Sequence, residues 1–407
     1  MRVFALVAAF ILLLISLLTL VKAPTLLGWK LALFAGEFGY WLCALAVVLA
    51  ILQWRAGWGG VEVGAGRMLA RWAGGLALLA AIFYAKPSAQ AWWLARGLPQ
   101  RWRASLGVSP KEAFFDWSDL LRIHASPTVV PRTFQFPSVG GDLSLDFYPA
   151  QSNSGGGLSD APCIVVVHGG GWNNGDRTQL AALNSWLALR GYSVAAIDYR
   201  LVPVLWPAPR EDTESALHWL QAHAGELGVS PEKFVLLGRS AGGQIALATA
   251  YGKTRAAWRG VISLYGPADL NFAYQFGDEN DVLHSLALLR AFLGGTPTQQ
   301  PARYDDASPY AYVAADDPPT LLLHGQLDTL VWHKQSERLD AKLARAGVPH
   351  LFISLPWATH AFDVNLNGPS GQLSRNAIEA FLQTVLGLNG RAEPRAGPTP
   401  TSVSGNR

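Results

Sequence analysis

Charge is scarce in this sequence. Only 15% of its 407 residues are Asp, Glu, Lys or Arg, against roughly 25% in an average soluble chain, and 50% are hydrophobic. Part of the chain is therefore expected in lipid. The formal net charge is only +3 and no run or stripe of Lys and Arg occurs, so the electrostatic footprint of a nucleic-acid-binding protein is absent. Cysteine is scarcer still. Cys43 lies inside an apolar run and Cys163 at the start of a strand-like one, and two such residues build neither a disulfide framework nor a Cys-based metal site. No internal repeat is present.

What the sequence has instead is apolar length at its N-terminus. Residues 3–21 ("VFALVAAFILLLISLLTLV") form an uncharged run long enough to cross a hydrocarbon core as a helix. A secretory leader has a shorter apolar region and ends in a small-x-small site, which the following "VKAP" does not supply. Residues 38–54 are a second uncharged run with aromatic residues at both ends, as at membrane interfaces. A third, 68–85, reaches spanning length if Arg71 snorkels; the alternative is a re-entrant or interfacial helix. With three spans the termini lie on opposite sides. Lys22, Lys30, Lys86, Arg96, Arg101 and Arg103 then outweigh Arg2, Arg55, Arg67 and Arg71, which tilts the C-terminal domain toward the cytoplasm. Residues 87–130 are expected to be a linker or cap, with "SPKEAFFDWSDLLRI" resembling a capped amphipathic helix. The tail 390–407, rich in Pro, Gly and Ser, is expected to be disordered.

Residues 131–389 change rhythm. Short apolar runs at Leu143–Tyr148, Cys163–His168, Ser193–Tyr199, Phe234–Gly238, Gly260–Tyr265, Thr320–His324 and Leu351–Leu355 alternate with helix-length segments, such as 213–227 with Leu217, Leu220, Ala224 and Leu227 on one face. This alternation predicts an α/β domain with a mainly parallel sheet covered on both faces. Ligands of such sheets gather at the carboxyl ends of the strands, and there this chain places "HGGGW", "GRSAGG", "HGQLD" and "WATH".

"FVLLGRSAGG" runs a strand into the G-x-S-x-G form and leaves it on a small-residue helix, the setting in which Ser240 occupies a strained, exposed turn. A serine hydroxyl needs a base, and the base an orienting carboxylate. His360, beyond the last strand, and Asp328, beyond the preceding one, stand in the required order Ser, Asp, His. Asp316, Asp317 and Asp363 are alternative carboxylates: the first two read as a solvated turn, and Asp363 follows His360 too closely to reach its ring. His324 reads as packed at its strand end. The consecutive glycines after His168 let the main chain approach a reacting group closely. Gly170 and Gly171, with Ala241 after the serine, are the expected N–H donors to a developing oxyanion. His168 and Trp172 brace that loop, and Trp172, Arg239 and Trp357 are candidates for the substrate pocket. Arg200 is expected to pair with Glu211 or Asp212, and the 271–295 insertion to form a lid and acyl pocket or, alternatively, a helical excursion packed on the core.

Residues 131–388 resemble the α/β-hydrolase esterases and lipases related to hormone-sensitive lipase and to bacterial acetyl-xylan and feruloyl esterases. The resemblance rests on "HGGGW", "DYRL", "GRSAGG", "YGPADL", "ASPYAYV", "PPTLLLHGQLDTLV" and "LPWATHAFD" in that order. It implies a mostly parallel sheet of about eight strands and hydrolysis of carboxylic esters without metal or cofactor. The chain departs from the pattern at Thr359 and Ala361, where glycines usually flank the histidine, and at Trp332, where a proline is usual. The expected protein is a membrane-anchored serine esterase of a bacterial-type plasma (inner) membrane, acting on a small or lipid-like ester at the bilayer. The same residues also serve a peptidase, a deacetylase or an acyl transferase, and the fold also suits a catalytically silent membrane interaction protein.

Overall fold

The computed structural model describes residues 2–58, 63–111, 113–122, 128–151 and 159–388; the expected tail 390–407 lies outside them. Four helices lead: α1 (Arg2–Ser16, prolonged by a 3-10 turn at Leu17–Thr19), α2 (Leu26–Glu37), α3 (Gly39–Trp58) and α4 (Gly64–Leu106). The α1 segment to Thr19, α3 and α4 are long and apolar enough to cross a membrane. They pack through small residues, with Ala9, Ala46, Ala73, Ala77 and Ala80 fully buried, which lets their backbones approach closely. Two features correct the expectation. The segment after the first span is a helix, α2, rather than a plain loop. Residues 87–106 are not a linker either, for α4 runs through Pro87 and Pro99 to Leu106. Packing overrides the prolines: Ala91, Leu98 and Trp102 are fully buried on the second domain, and the Arg101 guanidinium donates to the Phe352 carbonyl at 2.6 Å.

The second domain is an eight-stranded sheet of order β1-β2-β4-β3-β5-β6-β7-β8. Its strands are β1 (Arg132–Phe136), β2 (Leu143–Tyr148), β3 (Ala161–Val167), β4 (Ser193–Ile197), β5 (Val229–Arg239), β6 (Trp258–Leu264), β7 (Thr320–Gly325) and β8 (His350–Leu355). β2 is antiparallel to both β1 and β4, and every other neighbouring pair is parallel. All of β3, "APCIVVV", is buried, as a strand covered on both faces must be. The helices between and after the strands are α5 (Ala181–Ala188), α6 (Ala208–Ala222), α7 (Ala224–Leu227), α8 (Ala241–Ala250), α9 (Leu270–Phe276), α10 (Ser285–Leu293), α11 (Pro301–Asp306), α12 (Lys334–Ala346) and α13 (Pro369–Val385).

One face of the sheet is packed by α6, α8 and α12, through residues such as Leu217, Ile245 and Leu339. The other is packed by α5, α13 and the last turns of α4, through Trp186, Phe381 and Trp102. The amphipathic helix expected in "SPKEAFFDWSDLLRI" is absent among its described residues, which hold only a 3-10 turn at Asp119–Leu121. Phe114 and Phe115 reach the core from irregular chain ahead of that turn, and Leu120 from within it.

Candidate active site

The turns after β3, β5, β7 and β8 converge. β5 ends at Arg239, and Ser240 takes φ 53° and ψ −124°, outside the regions open to most L residues, before α8 begins at Ala241. Two glycines make the turn possible. A Cβ on Gly238 would sit 2.1 Å from the Gly242 carbonyl oxygen, and one on Gly242 would sit 2.2 Å from that of Val167. The Ser240 hydroxyl lies 2.9 Å from His360 Nε2, and His360 Nδ1 donates to Asp328 Oδ2 at 2.7 Å.

Asp328 is fully buried with both oxygens occupied. Oδ1 accepts from the N–H groups of Leu330 and Val331, each at 2.8 Å, and His324 Nε2 stands 3.3 Å from Oδ2. Burial pushes the carboxyl up, but His360 and His324 beside it outweigh burial and hold it below the usual carboxylate range. His324 is thus more than a packed strand end. Its Nε2 faces the Val331 carbonyl as well as Asp328, so that nitrogen carries the proton, while Nδ1 meets the Ser336 hydroxyl at 2.8 Å. The i, i+4 spacing of His324 and Asp328 in "HGQLD" was the available signal.

The glycine loop behaves as its composition predicts. Gly170 has φ 128°, where any Cβ would overlap the Asn174 carbonyl, and Gly171 has φ 60°. Gly171 and Ala241 border the cavity beside Ser240, with Gly170 adjacent in the chain. His168 braces the loop: its ring stacks on Tyr199 at 4.3 Å, the Tyr199 hydroxyl donates to its carbonyl, and burial lowers its pKa. Trp172 borders the cavity, while its indole donates to Gln244 at 2.9 Å and stacks on Phe292.

The cavity holds about 110 Å³ and its wall is largely apolar. α9 and α10, both from the 271–295 insertion, contribute Phe272, Phe276, Leu288 and Leu289, and the segment after Asp328 contributes Leu330 and Trp332. Tyr274 turns away to meet Tyr304 edge-on.

Two pocket candidates are elsewhere. The Arg239 guanidinium points behind the serine turn, 3.5 Å from Asp363, whose carboxylate also accepts from the Tyr265 hydroxyl. Trp357 is buried in the core on the α13 side, its indole donating to Ser370 Oγ at 2.9 Å. Among the alternative carboxylates, Asp317 is buried rather than solvated, and burial raises its pKa to about 6. Asp316 is exposed and pairs with Arg255. Arg200 binds Asp212 at 2.9 Å and Glu211 at 3.4 Å, as expected.

Residues 145–343 match the BD-FAE family model. Over 242 residues the chain is 31% identical to a probable carboxylic ester hydrolase, LipM, of Mycobacterium tuberculosis, covering 55% of this chain and 54% of that one. It is 30% identical over 231 residues to the uncharacterized protein YfhR of Salmonella typhimurium, covering 55% of this chain and 72% of that one. The chain spans about half the length of several curated relatives it matches, at 54%, 56% and 59%. Among solved structures, a thermostable carboxylesterase, EstE1, cloned from a metagenomic library, superposes with a TM-score of 0.55 at 20% identity, covering 73% of this chain and 97% of that one. That likeness is one of fold.

Proposed function

We propose that this chain, a member of the α/β-hydrolase esterase family, is a membrane-anchored serine hydrolase that cleaves carboxylic esters through an acyl-enzyme. The observation that carries this reading is the line Ser240 Oγ, His360, Asp328 at the edge of an apolar cavity, with separations of 2.9 and 2.7 Å.

In this reading Ser240 Oγ attacks the ester carbonyl carbon while His360 Nε2 takes its proton. The N–H groups of Ala241, Gly170 and Gly171 receive the charge that develops on the carbonyl oxygen, each such donor contributing roughly 3 to 4 kcal/mol where removal has been measured. His360 then protonates the departing alcohol. Water then attacks the acyl carbonyl carbon as His360 takes its proton, and that proton passes from His360 to Ser240 Oγ as the acyl–oxygen bond breaks and the acid leaves. Asp328 keeps the proton of the resting imidazole on Nδ1, which leaves Nε2 free to accept. The acyl group lies against Phe272, Phe276 and Leu288, and this apolar wall, in a chain with helices long enough to cross a membrane, suits small or lipid-like esters.

The test is labelling of detergent-solubilised protein with a fluorophosphonate, followed by an ester panel graded by acyl length. Wild type is expected to take the label and turn over esters. Ser240→Ala should take none and lose activity by about 10⁴-fold or more. Ester hydrolysis surviving intact in Ser240→Ala would end the assignment.

A further inference from the structure

α2 sits at the foot of the three long helices with two different sides. Leu26, Leu27 and Phe34 are exposed, whereas Ala32, Ala35, Gly36 and Glu37 are buried. The covered side touches the loop that carries His360. The Trp29 indole N–H donates to the main-chain carbonyl of His360 itself at 3.2 Å. At the end of α2, Glu37 Oε1 meets Ser370 Oγ at 2.5 Å and Oε2 accepts from the Ser370 N–H at 3.1 Å. The Glu37 main-chain carbonyl accepts from the Asn365 amide at 2.9 Å, and the Tyr40 hydroxyl, two residues into α3, lies 3.2 Å from the same amide. A Cβ on Gly368 would fall 2.7 Å from Glu37 Oε2, so the chain leaves room there for the carboxyl.

The loop has reason to need such holding. Directly after His360, Ala361 takes φ 64° and ψ 27°, the left-handed region that a side chain disfavours and glycine adopts freely. That φ sets the tilt of the peptide joining His360 to Ala361, and the carbonyl of this peptide is the one Trp29 binds. A hydrogen bond from α2 thus fixes a peptide that a glycine would have reached without strain.

We propose that Trp29 and Glu37 are positioning residues for His360, so that the N-terminal helical region is a working part of the active site as well as an anchor. This inference rests on the ester-hydrolase reading above. Trp29 acts on the histidine through its peptide, and Glu37 acts by pinning residues 365–370, which continue the same loop into α13.

The experiment uses the full chain in detergent or reconstituted vesicles. Trp29→Phe keeps the ring and deletes the N–H; Leu27→Ala alters the exposed side of the same helix; Asn365→Ala removes the second attachment should Trp29→Phe fold poorly. For each, kcat is divided by the number of fluorophosphonate-titrated sites, and KM and the pH profile of kcat/KM are measured. Trp29→Phe is expected to lower kcat per site about five- to tenfold, the scale of one lost hydrogen bond, with KM unchanged and the acidic limb of the profile displaced. Asn365→Ala should act in the same direction, and Leu27→Ala should match wild type. Wild-type kcat per site in Trp29→Phe and Asn365→Ala overturns the inference, and so does an equal loss in Leu27→Ala, which would make the effect one of helix integrity. A wild type that takes no label and cleaves no ester instead overturns the ester-hydrolase reading, and the inference with it.

Discussion

Asp328 shows how fully the site is specified by single atoms. Its Oδ1 is committed to two main-chain N–H groups and its Oδ2 to His360 and His324, so no rotation of the carboxylate improves one contact without losing another. Asp328→Asn keeps the volume, but an amide that offers oxygen to Leu330 and Val331 must present its NH₂ to His360 Nδ1. The imidazole then carries its proton on Nε2 and cannot accept one from Ser240. The expected result is a fall in kcat of about 10³- to 10⁴-fold with little change in KM, read by steady-state kinetics on the best ester of the panel. At this scale the sequence was informative where residues follow strands, because strand ends fix where Ser240, Asp328 and His360 can be. It was silent on Trp29, whose partner is 331 residues away and leaves no local pattern. Arg239 and Trp357 were misplaced because adjacency to a motif says nothing of side-chain direction: in both, the polar end turns back into the domain.

Among the elements, α2 carries a buried ionisable group, Glu37, against the loop that holds His360. Burial raises the Glu37 pKa to about 8: hydrogen bonds from the Ser370 hydroxyl and the N–H groups of Ser370 and Gly371 pull it down but do not offset burial, and the Asp363 carboxylate, itself engaged with Arg239 and Tyr265, pushes the same way as burial. Glu37 is therefore neutral when α2 is docked at pH 7. The sign follows from the raised value. The unfolded chain releases this proton above about pH 4.3, so the stability that the docked acid contributes is fully present below that pH and is lost as pH rises through about 8. Glu37→Gln mimics the neutral acid and has no proton to lose. Thermal unfolding in detergent should show the variant gaining on wild type from pH 5 to about 8 and holding a constant lead above it; parallel pH curves for the two proteins would show that Glu37 stays ionised. Elements differ in how they announce themselves. Strands buried on both faces, such as β3, read as unbroken apolar runs, whereas β1 was missed because an edge strand reading "RTFQF" has exposed polar positions. The helix expected in "SPKEAFFDWSDLLRI" is absent among its described residues because Phe114 and Phe115 anchor irregular chain on the core, and α4 outran its expected end because burial of Trp102 compensates for two prolines.

At the scale of the whole molecule the long helices have two distinguishable ends. Tyr84 Oη donates to the Leu12 carbonyl, the Thr19 hydroxyl reaches the Phe83 carbonyl, and Gly39 lies against Tyr84, so these residues mark the end next to the catalytic domain. Arg2 donates to Gln53, and Arg71 donates to the Gly57 carbonyl and covers the Trp58 ring, so these mark the far end. The sequence places Lys22, Lys30, Lys86, Arg96, Arg101 and Arg103 at or beyond the catalytic end and Arg2, Arg55, Arg67 and Arg71 toward the far one. If the three helices cross a bilayer, this six-to-four excess of cations orients the catalytic domain toward the cytoplasm. A fluorescent protein fused after Arg407 should then mature, and an alkaline phosphatase fused at the same point, which is active only after export, should stay silent; active phosphatase would reverse the orientation. Because the excess is two, replacing Lys22 and Lys30 by Gln leaves four against four. Both reporters should then give signal from a mixed population, whereas an unchanged pattern would mean that docking of α2 and α4 on the folded domain, rather than flanking charge, sets the orientation.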